Sequence, residues 1–214
     1  MITEFFDVLD CAGRKTGRTI ARDEAHRTGA WHGAFHCLIL YAREGTGYAL
    51  FQQRSPEKLI APGAFDVSVG GHYAAGEGAE TAGPREIREE LGLDVGFRDL
   101  LPVGRRLFVY CFTPGVMEYE FQDVFLLARS INPAALSLQT EEVSAVLELG
   151  VERGVELFSG RAHTAEGSLF TGAGAGRKIT ITAAEFVPCL DNYYLKMLLL
   201  CRRYFNGERQ LLII

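Results

Sequence analysis

Three carboxylates, Glu86, Glu89 and Glu90, fall close together in the stretch PREIREELG. In a helix over roughly Ala82–Leu91 they stand at i, i+3 and i+4 and project from nearly one face. Like charges gathered this way repel one another. A hard divalent cation reverses that penalty, because Mg²⁺ takes carboxylate oxygens and keeps sites for water and phosphate. Arg85, four residues before Glu89, is spaced to pair with it and hold its orientation. Pro84 lacks an amide donor and suits only a first helical turn. The sequence therefore predicts a helix that starts late, with Thr81 as its N-cap, or one that kinks at the proline.

From Gly71 the spacing runs glycine, five residues, Glu77, seven residues, then Arg85, Glu86, Ile87, one residue, Glu89, Glu90, one residue, Gly92 and Leu93. At every defined position this resembles the Nudix box, the signature of hydrolases that cleave a nucleoside diphosphate linked to another group. The resemblance implies an α/β (α+β) fold, an α/β/α sandwich around a central mixed β-sheet, with the box as loop, helix and loop. It also implies Mg²⁺, with Mn²⁺ as a substitute, held by Glu86, Glu89 and Glu90 and by the backbone carbonyl of Gly70 or Gly71. Gly71, Glu77 and Arg85 then brace the motif. A pyrophosphate repels an attacking hydroxide, and a metal masks that charge and acidifies a bound water. Glu86 or Glu89 is left to orient or deprotonate the water.

The flanking runs WHGAF (Trp31–Phe35), QQRSPEK (Gln52–Lys58), PGAFDVSVGGH (Pro62–His72) and MEYEFQDVF (Met117–Phe125) narrow the match. Over roughly residues 1–150 they resemble the branch that contains isopentenyl diphosphate isomerase. The positions matching that enzyme's metal ligands are His26, His32, His72, Glu118 and Glu120, a second metal set. Two apart on a strand, Glu118 and Glu120 face one side. Either could be the extra catalytic glutamate that Nudix hydrolases often carry outside the box. Arg54 and Lys58 match positions that contact diphosphate, and supply the cations such a ligand needs. The isomerase has a cysteine where this chain has Gly70, and its box is degraded where this one is intact. Hydrolysis of a small nucleotide-like or other diphosphate substrate is the leading expectation. The alternatives are allylic diphosphate isomerisation and a non-catalytic diphosphate sensor.

The chain that must position these groups has 214 residues, 48% of them hydrophobic, enough for one substantial core. Its net charge of -5 and lack of any basic block exclude a nucleic-acid polymer as partner. Five scattered cysteines read as reduced thiols, the acidic start MITEFFDVLD does not read as a signal peptide, and the apolar run Tyr193–Phe205 is too short for a bilayer. The expectation is a cytoplasmic protein without a membrane partner. Strand and turn signals predict a hairpin (FDVLD, RTIA), a short helix (ARDEAHR) and a second hairpin (34–42 and 48–53). Further strands follow at 65–69, 107–112, 121–128 and 143–149, then a helix ending near Phe158. Residues 1–30 read as an extension of the same domain, 31–158 as the core, and 159–214 as a loop, a strand and a helix packed on it. Ser159–Arg177 reads as a flexible hairpin or lid, because its GAGAG lacks the spacing and context of a phosphate loop. Specificity is expected in Phe108–Tyr119 and Ser159–Gly176. The LLII end either closes a homodimer interface or packs on the core.

Overall fold

The computed structural model describes residues 4–172 and 174–214. The first hairpin comprises β1 (Phe5–Leu9) and β2 (Lys15–Ala21) and runs into α1 (Arg22–Thr28), which stops at Gly29 with φ 66°. The rest of the chain builds a mixed sheet from β3 (His32–Arg43), β4 (Thr46–Arg54), β5 (Phe65–Val67), β6 (Val69–His72), β7 (Leu101–Thr113), β8 (Val116–Ala128), β9 (Val143–Gly150), β10 (Ala165–Phe170) and β11 (Arg177–Ile181). Its order is β11-β10-β9-β4-β3-β8-β7, with β5 beside β4 and β6 beside β3. Among the described strand-to-strand pairings only β3–β8 is parallel, and an isolated parallel bridge joins Phe65 to Phe186.

The apolar run HCLILY makes β3 the centre of the molecule, buried on both faces as a central strand must be. Leu38 and Leu40 face a core formed with α3 (Val151–Phe158) and α4 (Tyr193–Phe205), where Val155, Tyr194, Met197 and Leu198 are buried. Phe35, Cys37 and Ile39 face the opposite layer, where α2 (Ala79–Leu91) contributes Ile87 and Leu91. One helix on one face and two on the other give the expected α/β/α sandwich. The strand expected at 65–69 is instead two, because β3 and β4 diverge and Ser68 fills the fork. Its hydroxyl donates to the Leu50 carbonyl and accepts from the Ile39 amide at 2.7 Å.

Two expectations are corrected. The box helix begins at Ala79, with extended Gly78 as N-cap, and runs through Pro84; Thr81 lies inside it, its hydroxyl 3.4 Å from the Gly78 carbonyl. Proline forfeits only the bond to the carbonyl of Glu80, while Ala82, Ile87 and Leu91 are fully buried, so packing outweighs propensity. Residues 159–177 are not all loop. β10 adds to the edge of β9 and pairs antiparallel with β11, so the segment forms the hairpin expected of it but with a paired strand in place of loop. The GAGAG stretch lies between the two strands, and residue 173 is outside the described residues. Gly167 concealed this strand: a Cβ there would lie 2.6 Å from Leu147 Cδ1, so the close pairing needs a residue of low strand propensity. At the C-terminus, Leu212 is buried in the core and the Ile214 amide donates to the Val103 carbonyl at 2.7 Å.

Candidate active site

A cleft of about 570 Å³ opens between the box helix, the N-terminal end of β3 and the β7–β8 hairpin. The three box glutamates line it but are not equivalent. Glu86 and Glu90, one turn apart, turn towards the sheet, whereas Glu89 is half-exposed at the rim. Gly71 on β6 makes room for this: a Cβ there would sit 2.2 Å from Glu86 Cδ. The Gln52 amide donates to Glu90 Oε2 at 3.1 Å. Burial pushes the Glu86 carboxyl up against the pull of Arg85, and burial together with Glu86 pushes Glu90 well up. These crowded, desolvated oxygens suit a hard cation, whose charge would restore their ionised form. Arg85 grips Glu77 with two bonds of 3.0 and 2.8 Å, and also reaches Glu86 at 2.9 Å and Glu89 at 3.0 Å. Glu77 in turn accepts the Ala74 amide at 3.0 Å, tying the loop to the helix.

The second cluster draws on four elements: His26 from α1, His32 from β3, His72 from β6, and Glu118 and Glu120 from β8. Parallel pairing sets His32 opposite Glu120, and Phe6 of β1 stacks on both His32 and His72 at 4.8 Å. One donor atom from each of His26, His32, His72 and Glu118 lies within 4.8 Å of the others. His26 Nε2 is 3.3 Å from Glu118 Oε1, and His72 Nε2 is 2.9 Å from Glu120 Oε1 and 3.7 Å from Glu118 Oε2. His32 Nδ1 donates to the Ala30 carbonyl at 2.8 Å, which turns the Nε2 lone pair inward. His26 Nε2, His32 Nε2 and Glu118 Oε1 are buried without a hydrogen-bond partner. Such orphans are rare, and three around one point are the donor set that a bound metal ion would satisfy. Burial, with His72 and His32 nearby, lowers His26 to about 3. For His72 burial is outweighed by bonds to Glu118 and Glu120, which raise it to about 9. Burial and Glu120 push Glu118 up to about 8. Burial also opposes ionisation of Glu120, but the bond from His72, with His32 nearby, holds it well below the usual carboxylate range.

Arg54 and Lys58 flank the same cleft. Arg54 Nε donates to the Ile60 carbonyl at 3.0 Å, with its guanidinium 3.8 Å from Asp66, and Lys58 pairs with Glu142. Phe108 and Phe112 line the cleft from the β7 side and Val187, Pro188 and Cys189 from the segment before α4.

Residues 30–153 match the model of the NUDIX domain. An uncharacterised Nudix hydrolase of Clostridium acetobutylicum is 30% identical over 91% of this chain and 95% of its own length. The chain belongs to the Nudix family. Within it, Nudix hydrolase 3 of Arabidopsis thaliana is 39% identical over 68% of this chain, which spans 19% of that longer protein. An isopentenyl-diphosphate Delta-isomerase of Photobacterium profundum is 32% identical over 74% of this chain and 90% of its own length. Among solved structures, a Deinococcus radiodurans protein superposes with a TM-score of 0.55 at 22% identity, covering 80% of this chain and 93% of that one, and so supports the fold. This Nudix protein is a hydrolase acting on phosphoric anhydrides, and its relatives place it near the isomerase-like branch.

The cleft of this Nudix protein also holds residues that sequence reasoning missed. Arg106 is buried there, its guanidinium 3.8 Å above the Tyr193 ring and paired with Asp191. Asp66 accepts from the Tyr194 hydroxyl at 3.0 Å. Period-two spacing offered one usable signal, since Gln122 continues the inward face of Glu118 and Glu120. Asp191 and Tyr194 had none, because they arrive from the far end of the chain. No described residue of the glycine-rich Ser159–Gly176, expected to shape specificity, lines the cleft; β10 and β11 sit at the opposite sheet edge. No described helix is long and apolar enough to cross a membrane.

Proposed function

We propose that the protein is a divalent-metal-dependent pyrophosphohydrolase that cleaves a small nucleotide-like or other diphosphate substrate. The observation that carries this is the meeting of the box carboxylates and the buried histidine–glutamate cluster on one cleft, with cations at its rim. Mg²⁺, or Mn²⁺ in its place, would mask phosphate charge and acidify a water. Glu86, Glu89 and Glu90, with the carbonyl of Gly70 or Gly71, would hold it. Their crowding and desolvation, and the absence of any nitrogen donor among them, support that assignment. Arg54 and Lys58 bind the diphosphate oxygens, each displacing its present partner. Glu86 or Glu89, or Glu120 from outside the box, orients the attacking water and takes its proton. Gly71, Glu77 and Arg85 keep the carboxylates in register.

His26, His32, His72, Glu118 and Glu120 form the second metal set, and its imidazoles favour a transition ion. That set is what favours the competing reading, an allylic diphosphate isomerase. Gly70 weighs against it, because moving a double bond needs a second acid/base group and glycine supplies none. The cysteines, all free, suit the cytosol as the setting.

The test is phosphate release, with and without Mg²⁺, across nucleoside diphosphate sugars, dinucleoside polyphosphates, nucleoside triphosphates, coenzyme A, thiamine diphosphate and isopentenyl diphosphate. The expected result is a Mg²⁺-dependent hit that Glu89→Gln abolishes while the circular dichroism spectrum is unchanged. Full activity in that variant overturns the mechanism. Double-bond migration in isopentenyl diphosphate without phosphate release establishes the isomerase instead.

A further inference from the structure

A line of polar contacts runs from the C-terminal segment into the histidine–glutamate cluster. Asp191 grips Arg106 with two bonds, 2.9 Å to Nε and 2.8 Å to one terminal nitrogen. The other terminal nitrogen of Arg106 donates to Gln122 Oε1 at 2.9 Å. Gln122 Nε2 donates to Glu120 Oε2 at 2.5 Å, and Glu120 Oε1 accepts from His72 at 2.9 Å. The direction of this line is chemically forced. A guanidinium has donors only, so Gln122 must show it the carbonyl oxygen, which leaves the amide NH₂ for Glu120. An ionised carboxylate has acceptors only, so it matches that NH₂ and keeps its second oxygen for His72. Arg106 itself has little freedom, lying 3.8 Å from the Tyr193 ring on one side and 4.7 Å from Phe108 on another. The chain delivers Asp191 by turning at Asn192, which holds a left-handed φ of 55° that asparagine tolerates at the start of α4.

We infer that Asp191, Arg106 and Gln122 are positioning residues: they fix the rotamer of Glu120 and, through it, the geometry of the histidine–glutamate metal set. The inference rests on the reading of that set as a metal site. It makes the C-terminal segment, which lies beyond the 30–153 match, a working part of the active site. Polar partners behind a ligand typically contribute about ten- to a hundredfold to metal affinity. Asp191→Asn removes the charge that holds Arg106, and Gln122→Met removes both links at nearly constant volume. Each is expected to weaken the metal by about tenfold. Because they break one line, the double variant should bind no more weakly than Gln122→Met alone.

The experiment titrates the metal-free, full-length protein with Co²⁺ and follows the visible band shifted and intensified by imidazole coordination, read apart from the weaker band of all-oxygen Co²⁺ at the box. His32→Gln is the control for the site, and thermal melts establish that every variant is folded. Loss of the band in His32→Gln, weaker binding in each single variant, and no further loss in the double support the proposal. Unchanged affinity in Asp191→Asn, or losses that multiply in the double, overturn the positioning line and leave the metal site standing. A band that survives in His32→Gln overturns the site itself, and the positioning role with it.

Discussion

Gly71→Ala is a small change with a large expected effect. A Cβ on Gly71 would lie 2.2 Å from Glu86 Cδ and 2.4 and 2.5 Å from its two oxygens. Carbon and carboxylate need well over 3 Å, so the carboxylate must move by at least about 1 Å. It sits at the end of a flexible side chain and can swing into the cleft, so the fold survives and the geometry does not. A displacement of about 1 Å in a catalytic group typically reduces rate by about a hundredfold, equivalent to about 2.7 kcal/mol of transition-state stabilisation. The neighbouring Gly70 provides the contrast: a Cβ there meets only the His36 ring, at an ordinary 3.4 Å from Nε2 and 3.6 Å from Cδ2. The assay is kcat/KM at saturating Mg²⁺ for both alanine variants, with melting temperatures alongside. The loss at Gly71 should exceed that at Gly70 by at least about tenfold, with both variants folded. Equal losses would refute the claim that Glu86 acts from its present position.

Two further outcomes follow from the box. Gly83→Ala gains about 0.8–1.0 kcal/mol of helix propensity, but its Cβ would come within 2.7 Å of the buried Phe35 ring, and such overpacking costs about 1–3 kcal/mol. The net is a loss of about 1 kcal/mol, read as a lowered urea midpoint; a raised midpoint would overturn the packing argument. Glu77 titrates below its ordinary value of 4.5: burial opposes this, and the bonds from Arg85 and the Ala74 amide outweigh it. A depressed folded-state value contributes stability that is fully present above pH 4.5 and is lost as pH falls through the lower folded value. Glu77→Gln should therefore lower stability at neutral pH and flatten its decline on acidification. An acid limb identical to that of the parent would remove the bracing role.

How legible these features were depended on how local their physics is. The box helix could be read because its spacing, its glycines and its glutamates all act within one segment. Even there the start was misplaced, since proline propensity is local whereas the burial of Ile87 and Leu91 against β3 is not. β10 failed for a related reason. Its sequence AEGSLF carries a glycine demanded by Leu147 on the neighbouring strand, so the residue that makes pairing close also hides the strand. The fork at Ser68 is likewise a property of two strands separating and leaves no periodic trace in either.

The same distinction orders the site. His26, His32, His72, Glu118 and Glu120 were reachable only through resemblance, because nothing in their spacing says that α1, β3, β6 and β8 converge. The structure supplies the missing reason: parallel pairing of β3 with β8 brings His32 to Glu120, antiparallel pairing of β3 with β6 brings in His72, and the hairpin bearing Phe6 closes over both rings. Arg106, Gln122 and Asp191 lie one step further away. Each looks like an ordinary polar residue until the tail folds back, when a donor-only guanidinium and an acceptor-only carboxylate leave the amide between them a single orientation. A line of this kind constrains through polarity more than through distance. Substitutions that preserve size but reverse a donor or acceptor should therefore disturb the histidine–glutamate cluster more than substitutions that shorten a side chain and admit water, which can donate or accept as required.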